Sequence, residues 1–380
     1  MLTGDGSAMC SAFVVFFSLM LLMNVIAPRF WGIGVPVFGL LLFLAHIVCT
    51  KTKPALPKIY AAVSVVLLIV ASLSALWSVL PELVWDRVDS LAPILLGGGL
   101  LLSVALSREF VFRRIHVWAL VACAFSGLFL IAVDLFFDMA LHRVTHGLDF
   151  EQNVPLFHLN RSLCGFALLL CPVMYLARHR GISHWVSCGL FTFFGVCAFF
   201  SDSQSAQLCA ILCAAFFFLY QKFDTLLFRL LLGSVTVFTL AFPWVWPPFF
   251  DSFKGFDPYA GTSYSPKDLG FPFKRAELWA MISESAQKRP LLGHGVEATR
   301  EMMFEQEKIY LGQNKIKFLH PHSMVLQLWH ELGLLGAMLL AAALALVLRA
   351  ARSLPMKIQP YAMTSFVAFF VIANVAYGIW

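Results

Sequence analysis

Charged residues are scarce in this 380-residue sequence: Asp, Glu, Lys and Arg make up 13% of it, while hydrophobic residues make up 60%. Soluble domains carry about 25% charged residues. Apolar runs of 17 or more residues recur along most of the chain. A soluble protein with a large apolar core does not need so many unbroken runs. Such a run can cross a hydrocarbon layer of about 30 Å as a helix that satisfies its own backbone. We therefore predict an all-α, polytopic transmembrane bundle of about 11–12 spans.

Several motifs are also absent. The sequence has no P-loop, no Gly-rich nucleotide fingerprint and no GxSxG elbow, which argues against an ATP-driven cytoplasmic machine. The nine cysteines lie in or at the ends of apolar runs without a CxxC pair, so neither a disulfide framework nor a zinc site is predicted. The first seven residues lack Lys and Arg, so the first apolar run is interpreted as a retained span. The net charge of +6 is modest, and no nucleic-acid partner is expected.

Eleven apolar runs are predicted as transmembrane helices. They lie near residues 10–28, 31–50, 59–80, 92–107, 116–137, 161–177, 184–200, 205–221, 225–246, 333–349 and 360–380. The chain is thereby divided into a first group of nine helices (1–246), a large external loop with amphipathic helices (247–322) and a C-terminal group of helices (323–380).

The distribution of Lys and Arg predicts the orientation of these helices. The even-numbered connections hold thirteen basic residues, whereas the short odd-numbered ones hold four. Because basic residues are retained on the cytoplasmic side, the even connections are predicted to be cytoplasmic and the odd ones external. The large loop is the ninth connection, so it is expected to face outward.

The large loop is predicted to have structure of its own. Residues 274–288 show the apolar periodicity of an amphipathic helix, and Pro290 with the Gly293-His294-Gly295 run would end it. The apolar face of that helix consists of Leu278, Ile282 and Ala286. A second, weaker helix is predicted over 296–310, and 259–266 has the composition of a loop.

The densest group of polar residues closes the loop, between Leu319 and Gly336. Pro321 can start a helix, which would place His322 in its first turn, where the helix N-terminus favours a neutral imidazole. A neutral histidine at a wet membrane boundary is a competent general base near pH 7. The competing interpretation is an interfacial or capping histidine. His320 and His322 lack further ligands at zinc spacing, so no metal is predicted.

Arginines and one short polar turn provide further candidates. Guanidinium groups match phosphate oxygens, so a set of them at the outer face would suit a lipid-linked phosphate, although each one alone is also typical of an interfacial side chain. The candidates are Arg161 beside Asn160, Arg275, Arg289 and Arg300. The turn at residues 201–205, which includes Ser203 and Gln204, is either a simple turn or a set of hydrogen-bonding groups for a sugar.

Taken together, these residues resemble a known family. His322-Ser323, followed after nine residues by Gly333 and after two more by Gly336, resembles the signature of bacterial O-antigen ligases, in which His is followed by Asn, Ser or Gln and then by spaced glycines. Asn160-Arg161 at the start of a span is similar to that family as well. So is a pattern in the large loop that consists of Arg275, Trp279, Pro290, Leu291, Gly293 and Gly295.

The resemblance implies a metal-independent, cofactor-free glycosyltransferase of the bacterial inner membrane with its active site facing the periplasm. It would move a glycan from undecaprenyl diphosphate to lipid A–core, among membrane lipids. His322 would activate the acceptor hydroxyl and Arg275 would hold the donor diphosphate. The remaining candidates for substrate binding are Asn160, Arg161, Ser203, Gln204, Arg289, Arg300, His320 and Glu331. Family members often have Arg in the short external turn where this sequence has Gln204. Either Arg161 takes that charge role, or the donor differs, or the catalytic set is incomplete.

Alternatives remain within and outside that family. An O-antigen polymerase or a ligase that glycosylates proteins would share the fold and the lipid-linked donor and differ in the acceptor. A transporter or flippase for lipid-linked sugar would need polar residues at mid-bilayer and broken helices. The candidate residues cluster at the predicted outer face instead, and Asp134, the main acid within an apolar run, lies near an outer end.

Overall fold

A computed structural model describes residues 4–27, 30–107, 112–149, 151–152, 154–253, 271–301 and 320–376, with the side chains of 4–9, 271–273 and 301 left out. This part of the chain is α-helical and contains no strand. Its helices are α1 (Gly4–Ile26), α2 (Trp31–Thr50), α3 (Lys58–Leu73), α4 (Pro81–Ser107), α5 (Arg114–Phe136), α6 (Ala140–His146), α7 (Leu159–His179), α8 (His184–Phe200), α9 (Gln204–Phe253), α10 (Phe271–Lys288), α11 (Met324–Arg352) and α12 (Gln359–Val375).

The apolar helices confirm the prediction of an all-α polytopic protein. Seven helices in the described ranges are long and apolar enough to cross a membrane, and the apolar parts of α1, α8 and α12 are shorter. Within the described residues, each of the eleven predicted spans overlaps one of these helices. The inside and outside assignment of the connections stays a prediction.

Two long helices contain breaks. The break in α9 coincides with the predicted connection between two spans, whereas the break in α11 was not predicted. α9 extends over 50 residues and includes two predicted spans, and the non-helical backbone of Phe223 (φ −129°, ψ 42°) lies between them. α11 starts nine residues before the predicted span and contains a non-helical Gly333 (φ 60°, ψ −149°). At 1.5 Å per residue, α9 has enough length for two crossings of a layer of about 30 Å.

The chain divides into two compact units. Unit 1 comprises Met1–Ser64, Ala92–Asp224 and Ala351–Ile372, and unit 2 comprises Val65–Leu91, Thr225–Ala350 and Ala373–Trp380. In unit 1, α1 packs on α2, α5 and α7. The buried amide of Asn24 on α1 donates to the carbonyl of Ser162 on α7 at 2.6 Å, which satisfies a polar group inside an apolar bundle.

In unit 2, α10 has the apolar face that the sequence predicts. This face packs on α9 and α11. Leu278, Ile282 and Ala286 are buried together with Phe242 and Trp329. The Trp329 indole stabilises this packing, because it donates a hydrogen bond to the Thr239 carbonyl at 2.7 Å. The amphipathic helix is therefore confirmed, although it begins at Phe271, three residues earlier than expected.

Two other predictions for the large loop are only partly covered. A short 3₁₀ turn at Ala298–Glu301 lies where a second α-helix was expected over 296–310, and the rest of that segment is outside the described residues. The predicted loop at 259–266 also lies outside them.

Candidate functional site

The break in α11 is bonded to the loop that follows α10. Gly333 adopts backbone angles that are essentially restricted to glycine, and a Cβ there would lie 2.6 Å from the carbonyl carbon of Leu291. The loop supplies partners for the backbone groups that the break releases. The Leu334 N–H donates to the Pro290 carbonyl at 2.7 Å, and the Gly295 N–H donates to the Glu331 carbonyl at 2.8 Å. The loop and the broken helix thus form one hydrogen-bonded structure.

His322 lies at the start of the same helix, but not in its first turn. α11 begins at Met324, and the residue that caps it is Ser323, whose Oγ accepts from the Leu326 N–H at 3.3 Å. His322 precedes this cap in the left-handed region, at φ 56°. The expectation of a first-turn histidine is therefore wrong, because serine provides the better N-cap. A non-glycine residue in the left-handed region raises the free energy of the folded state by about 1–3 kcal/mol. Such strained residues are concentrated at functional sites.

The ring of His322 is held by Ala376, the residue that follows α12. Its Nδ1 lies 2.9 Å from the carbonyl oxygen of Ala376. A carbonyl can only accept, so Nδ1 carries the proton in the neutral ring and Nε2 keeps its lone pair. Burial lowers the pKa of His322, and the Arg275 guanidinium lowers it further, while the bond to Ala376 acts in the opposite direction. The side chain is therefore a neutral base with a fixed orientation.

Arg275 is bound to the adjacent backbone carbonyl. Its Nη1 donates to the Val375 oxygen at 2.6 Å, from the second turn of α10. The neighbouring Asn374 accepts at its Oδ1 from the Ser323 hydroxyl and from the Val325 N–H, both at 3.2 Å. Three consecutive residues at the end of α12 therefore position the arginine, the helix cap and the histidine.

His320 contacts the same histidine. Its Nδ1 accepts from the His322 N–H at 3.2 Å, and the two ring centroids are 4.3 Å apart. The intervening Pro321 carbonyl accepts from the Trp279 indole at 2.8 Å. The segment that carries both histidines is thereby attached to α10.

The other candidates in unit 2 have different surroundings. Arg289 is exposed after the end of α10. Arg300 forms an ion pair with Glu297, which is buried and has a backbone in the left-handed region. The same carboxylate forms an ion pair with Arg87 at 2.5 Å. Glu331 is fully buried in α11 and accepts hydrogen bonds from the side chains of two neighbours.

The candidates in unit 1 form a second group. The buried Ser203 hydroxyl donates to the Asn160 side-chain oxygen at 2.5 Å, so the polar turn contacts the start of α7. Arg161 and Gln204, which follow these two residues in the chain, are exposed. The turn therefore does more than connect two helices, because Ser203 fixes the side-chain amide of Asn160, the residue before the exposed Arg161.

Comparisons with known proteins relate part of the chain to a known family. A family model described as O-antigen ligase matches residues 189–341, which include both the polar turn and the histidine segment. The match covers less than half of the chain and shows that this segment is similar to the O-antigen ligase family. The segment is called the ligase-family segment below.

Curated relatives are consistent with this result. A protein named "putative polysaccharide ligase" from Rickettsia prowazekii is 27% identical over 190 residues, which is 47% of this chain and 44% of the relative. A protein of the same name from Rickettsia typhi is 26% identical over 187 residues, with the same coverage. The match thus spans less than half the length of these relatives. No solved structure matches the chain.

The ligase-family segment contains all the candidate residues except Asn160 and Arg161. Sequence reasoning missed the partners that orient them. Asn374 and the carbonyls of Val375 and Ala376 lie outside the segment, in an apolar helix whose sequence shows no catalytic pattern. Glu297 was missed as well, although an acid two residues after a Gly-His-Gly run is a weak sign of a fixed loop.

Proposed function

We propose that this protein transfers a glycan from undecaprenyl diphosphate to lipid A–core at the periplasmic face of the bacterial inner membrane. The similarity of residues 189–341 to the O-antigen ligase family and the relatives named as polysaccharide ligases support glycan transfer. The observation that carries the proposal is the pairing of His322 and Arg275 on consecutive carbonyls at the end of α12.

His322 would act as the general base. Nε2 takes the proton of the acceptor hydroxyl while that oxygen attacks the anomeric carbon of the donor sugar. The bond from the anomeric carbon to the diphosphate oxygen breaks as the new glycosidic bond forms, and the configuration inverts. A neutral base is needed for this step, and the surroundings of His322 keep the ring neutral.

Arg275 would compensate the charge that develops on the leaving diphosphate. A guanidinium next to the reacting centre can do this without a metal, because it offers several N–H donors in a fixed geometry. Its Nη1 is bonded to Val375, which holds the charge in place before substrate arrives. Such preorganised groups contribute about 2.7–4 kcal/mol to stabilising the transition state.

The other candidates would bind substrate to differing degrees. Arg161, Gln204 and Arg289 are exposed and available to a sugar or a phosphate. Asn160, Ser203, His320 and Arg300 already bond to protein groups and would contribute from fixed positions. Glu331 is fully buried, so it would act by supporting α11.

The proposal is tested in a strain that lacks its own ligase and carries this protein. Wild type should restore long-chain lipopolysaccharide, and His322→Ala should abolish it while the protein accumulates normally in the membrane. His184→Ala, an exposed histidine of unit 1, serves as the matched control and should behave as wild type. Full glycan attachment with His322→Ala would contradict the assignment of the base.

The same profile separates the related activities. Loss of all long chains with accumulation of the lipid-linked polymer identifies a ligase for lipid A–core. A ladder reduced to a single repeat would instead identify an O-antigen polymerase. Unchanged lipopolysaccharide together with loss of glycan from proteins would identify a protein O-oligosaccharyltransferase.

A further inference from the structure

A cavity of about 520 Å³ opens in unit 1 where α7 ends and α12 begins. It lies within the size range of small-ligand sites, about 300–1,000 Å³. Basic side chains line it from two directions: Arg178 and His179 from the last turn of α7, and Lys357 from the turn before α12. None of the residues discussed above as candidates for catalysis or substrate binding contributes to it.

The one carboxylate among the lining residues is already neutralised. Asp224 accepts from Arg352 at 2.7 Å, and the same Arg352 nitrogen donates to Gln359 at 2.7 Å and to the Tyr220 hydroxyl at 3.1 Å. Gln359 in turn donates to the Arg352 carbonyl at 2.9 Å. This network holds the lining side chains of Tyr220 and Asp224 and neutralises the carboxylate, so Arg178 and Lys357 give the cavity a net positive charge.

Aromatic rings form another wall. Tyr361 lies 5.0 Å from Phe217 and 5.6 Å from Tyr175, measured between ring centroids, and Tyr175 stacks on His179 at 5.6 Å. Rings with polar tips are typical of the boundary between membrane and water. A phosphate could lie against the cations while glycerol and the upper part of an acyl chain contact the rings.

The surroundings favour a lipid over a soluble anion. Phe218 and Leu219, which follow the lining residue Phe217 on α9, are 71% and 47% exposed and would face hydrocarbon in a membrane. The lining residue Met356 is 60% exposed. The cavity therefore has an exposed apolar residue in its lining and exposed apolar residues on the helix that supplies Phe217, which a free phosphate would not need. The helix ends that form the cavity belong to connections predicted to be cytoplasmic, where anionic lipids give the leaflet a negative surface.

We propose that this cavity binds the phosphate headgroup of an anionic phospholipid. Arg178 and Lys357 pair with the phosphate oxygens, His179 and the tyrosine hydroxyls supply hydrogen bonds, and the acyl chains lie along the exposed face of α9. The site is separate from the proposed transfer reaction and does not depend on it.

The experiment uses the purified full chain in a neutral detergent, with thermal unfolding followed as lipid is added. Phosphatidylglycerol should raise Tm in a saturable manner, and phosphatidylcholine should not. Arg178→Gln with Lys357→Gln should weaken the apparent affinity for phosphatidylglycerol by about 30-fold, as expected for two cations at a membrane surface. Arg178→Lys alone keeps a cation and should retain most of the affinity.

The matched control is Lys51→Gln with Lys53→Gln, two exposed cations of unit 1 in another predicted cytoplasmic connection. This pair should leave the affinity within about twofold of wild type, because scattered surface charges contribute little specific binding. An equal loss in the control would show general surface attraction and overturn the proposal. Equal stabilisation by inorganic phosphate would overturn the lipid assignment, and no response to phosphatidylglycerol would overturn the site. His322→Ala should respond to the lipid like wild type.

Discussion

The pH dependence of glycan transfer offers a direct test of how Arg275 and His322 work together. The perturbation is Arg275→Gln, with Arg275→Lys as a control that keeps the charge. Three effects act on the pKa of His322: burial lowers it, the hydrogen bond to Ala376 raises it and the Arg275 guanidinium lowers it. The base is active only when it is deprotonated, so the rate falls as the pH drops through this pKa.

The direction of each change follows from these effects. In wild type the acidic limb of the rate profile should lie below about pH 6.5, the ordinary pKa of histidine. Removal of the positive charge in Arg275→Gln makes the imidazolium easier to form, so the pKa rises and the limb moves to higher pH. Arg275→Lys should leave the limb close to its wild-type position.

The rate at the pH optimum should fall as well. Loss of one preorganised donor to a developing oxyanion costs about 10²–10³-fold, which is the decrease expected for Arg275→Gln. Loss of the base in His322→Ala should cost about 10²–10⁴-fold and remove the acidic limb. The lysine variant should retain more activity than the glutamine variant, but less than wild type, because an ammonium lacks the planar donor geometry.

The assay is transfer of glycan from a purified lipid-linked donor to lipid A–core in detergent, quantified on gels between pH 4.5 and 9. An acidic limb that stays in place in Arg275→Gln, or moves to lower pH, would refute the electrostatic coupling of the two side chains. A limb that persists in His322→Ala would show that another group titrates.

Three further predictions concern the frame of the site and the orientation of the chain. Asn374→Ala should lower the free energy of unfolding by about 1–3 kcal/mol, because two buried donors lose their shared acceptor. Asn374→Asp keeps an acceptor, so its melting temperature should fall less than that of Asn374→Ala. Gly333→Ala should destabilise the fold by at least about 1–3 kcal/mol, because the added Cβ would collide with the backbone of Leu291. Gly195→Ala is the control: its Cβ would meet no atom within 4 Å, so this variant should be neutral or slightly stabilised in the same assay. A reporter fused after Ala298 should give a periplasmic signal, and a cytoplasmic signal would overturn the predicted orientation.

The helices predicted as spans could be identified from sequence because each contains a long apolar run. Their ends were less predictable, since backbone hydrogen bonding continues through polar residues. α4 begins at Pro81, eleven residues before the predicted span, in a segment that contains Glu82, Asp86 and Arg87. Hydropathy excludes such a segment from a span, yet nothing in it prevents a helix.

The chemistry of the site was also partly predictable. His322 was proposed as a base from its residue type and position, and Arg275 was singled out among four arginines by the family resemblance. The structure places both beside the end of α12. Their partner carbonyls at Val375 and Ala376 could not be predicted, because they are backbone atoms 100 and 54 residues away. The conformation of His322 depends on such tertiary contacts, which outweigh the local preference for a helical first turn.

The hydrogen-bonded loop at the break in α11 has a consequence for how this region can vary among related proteins. Gly293, Gly295 and Gly333 each approach the backbone or side chain of a distant residue too closely for a Cβ. Since the loop between Pro290 and Gly295 pairs residue by residue with α11, one inserted or deleted residue would shift every bond at once. Homologues should therefore tolerate changes of length elsewhere in the large loop, while this stretch keeps a constant number of residues.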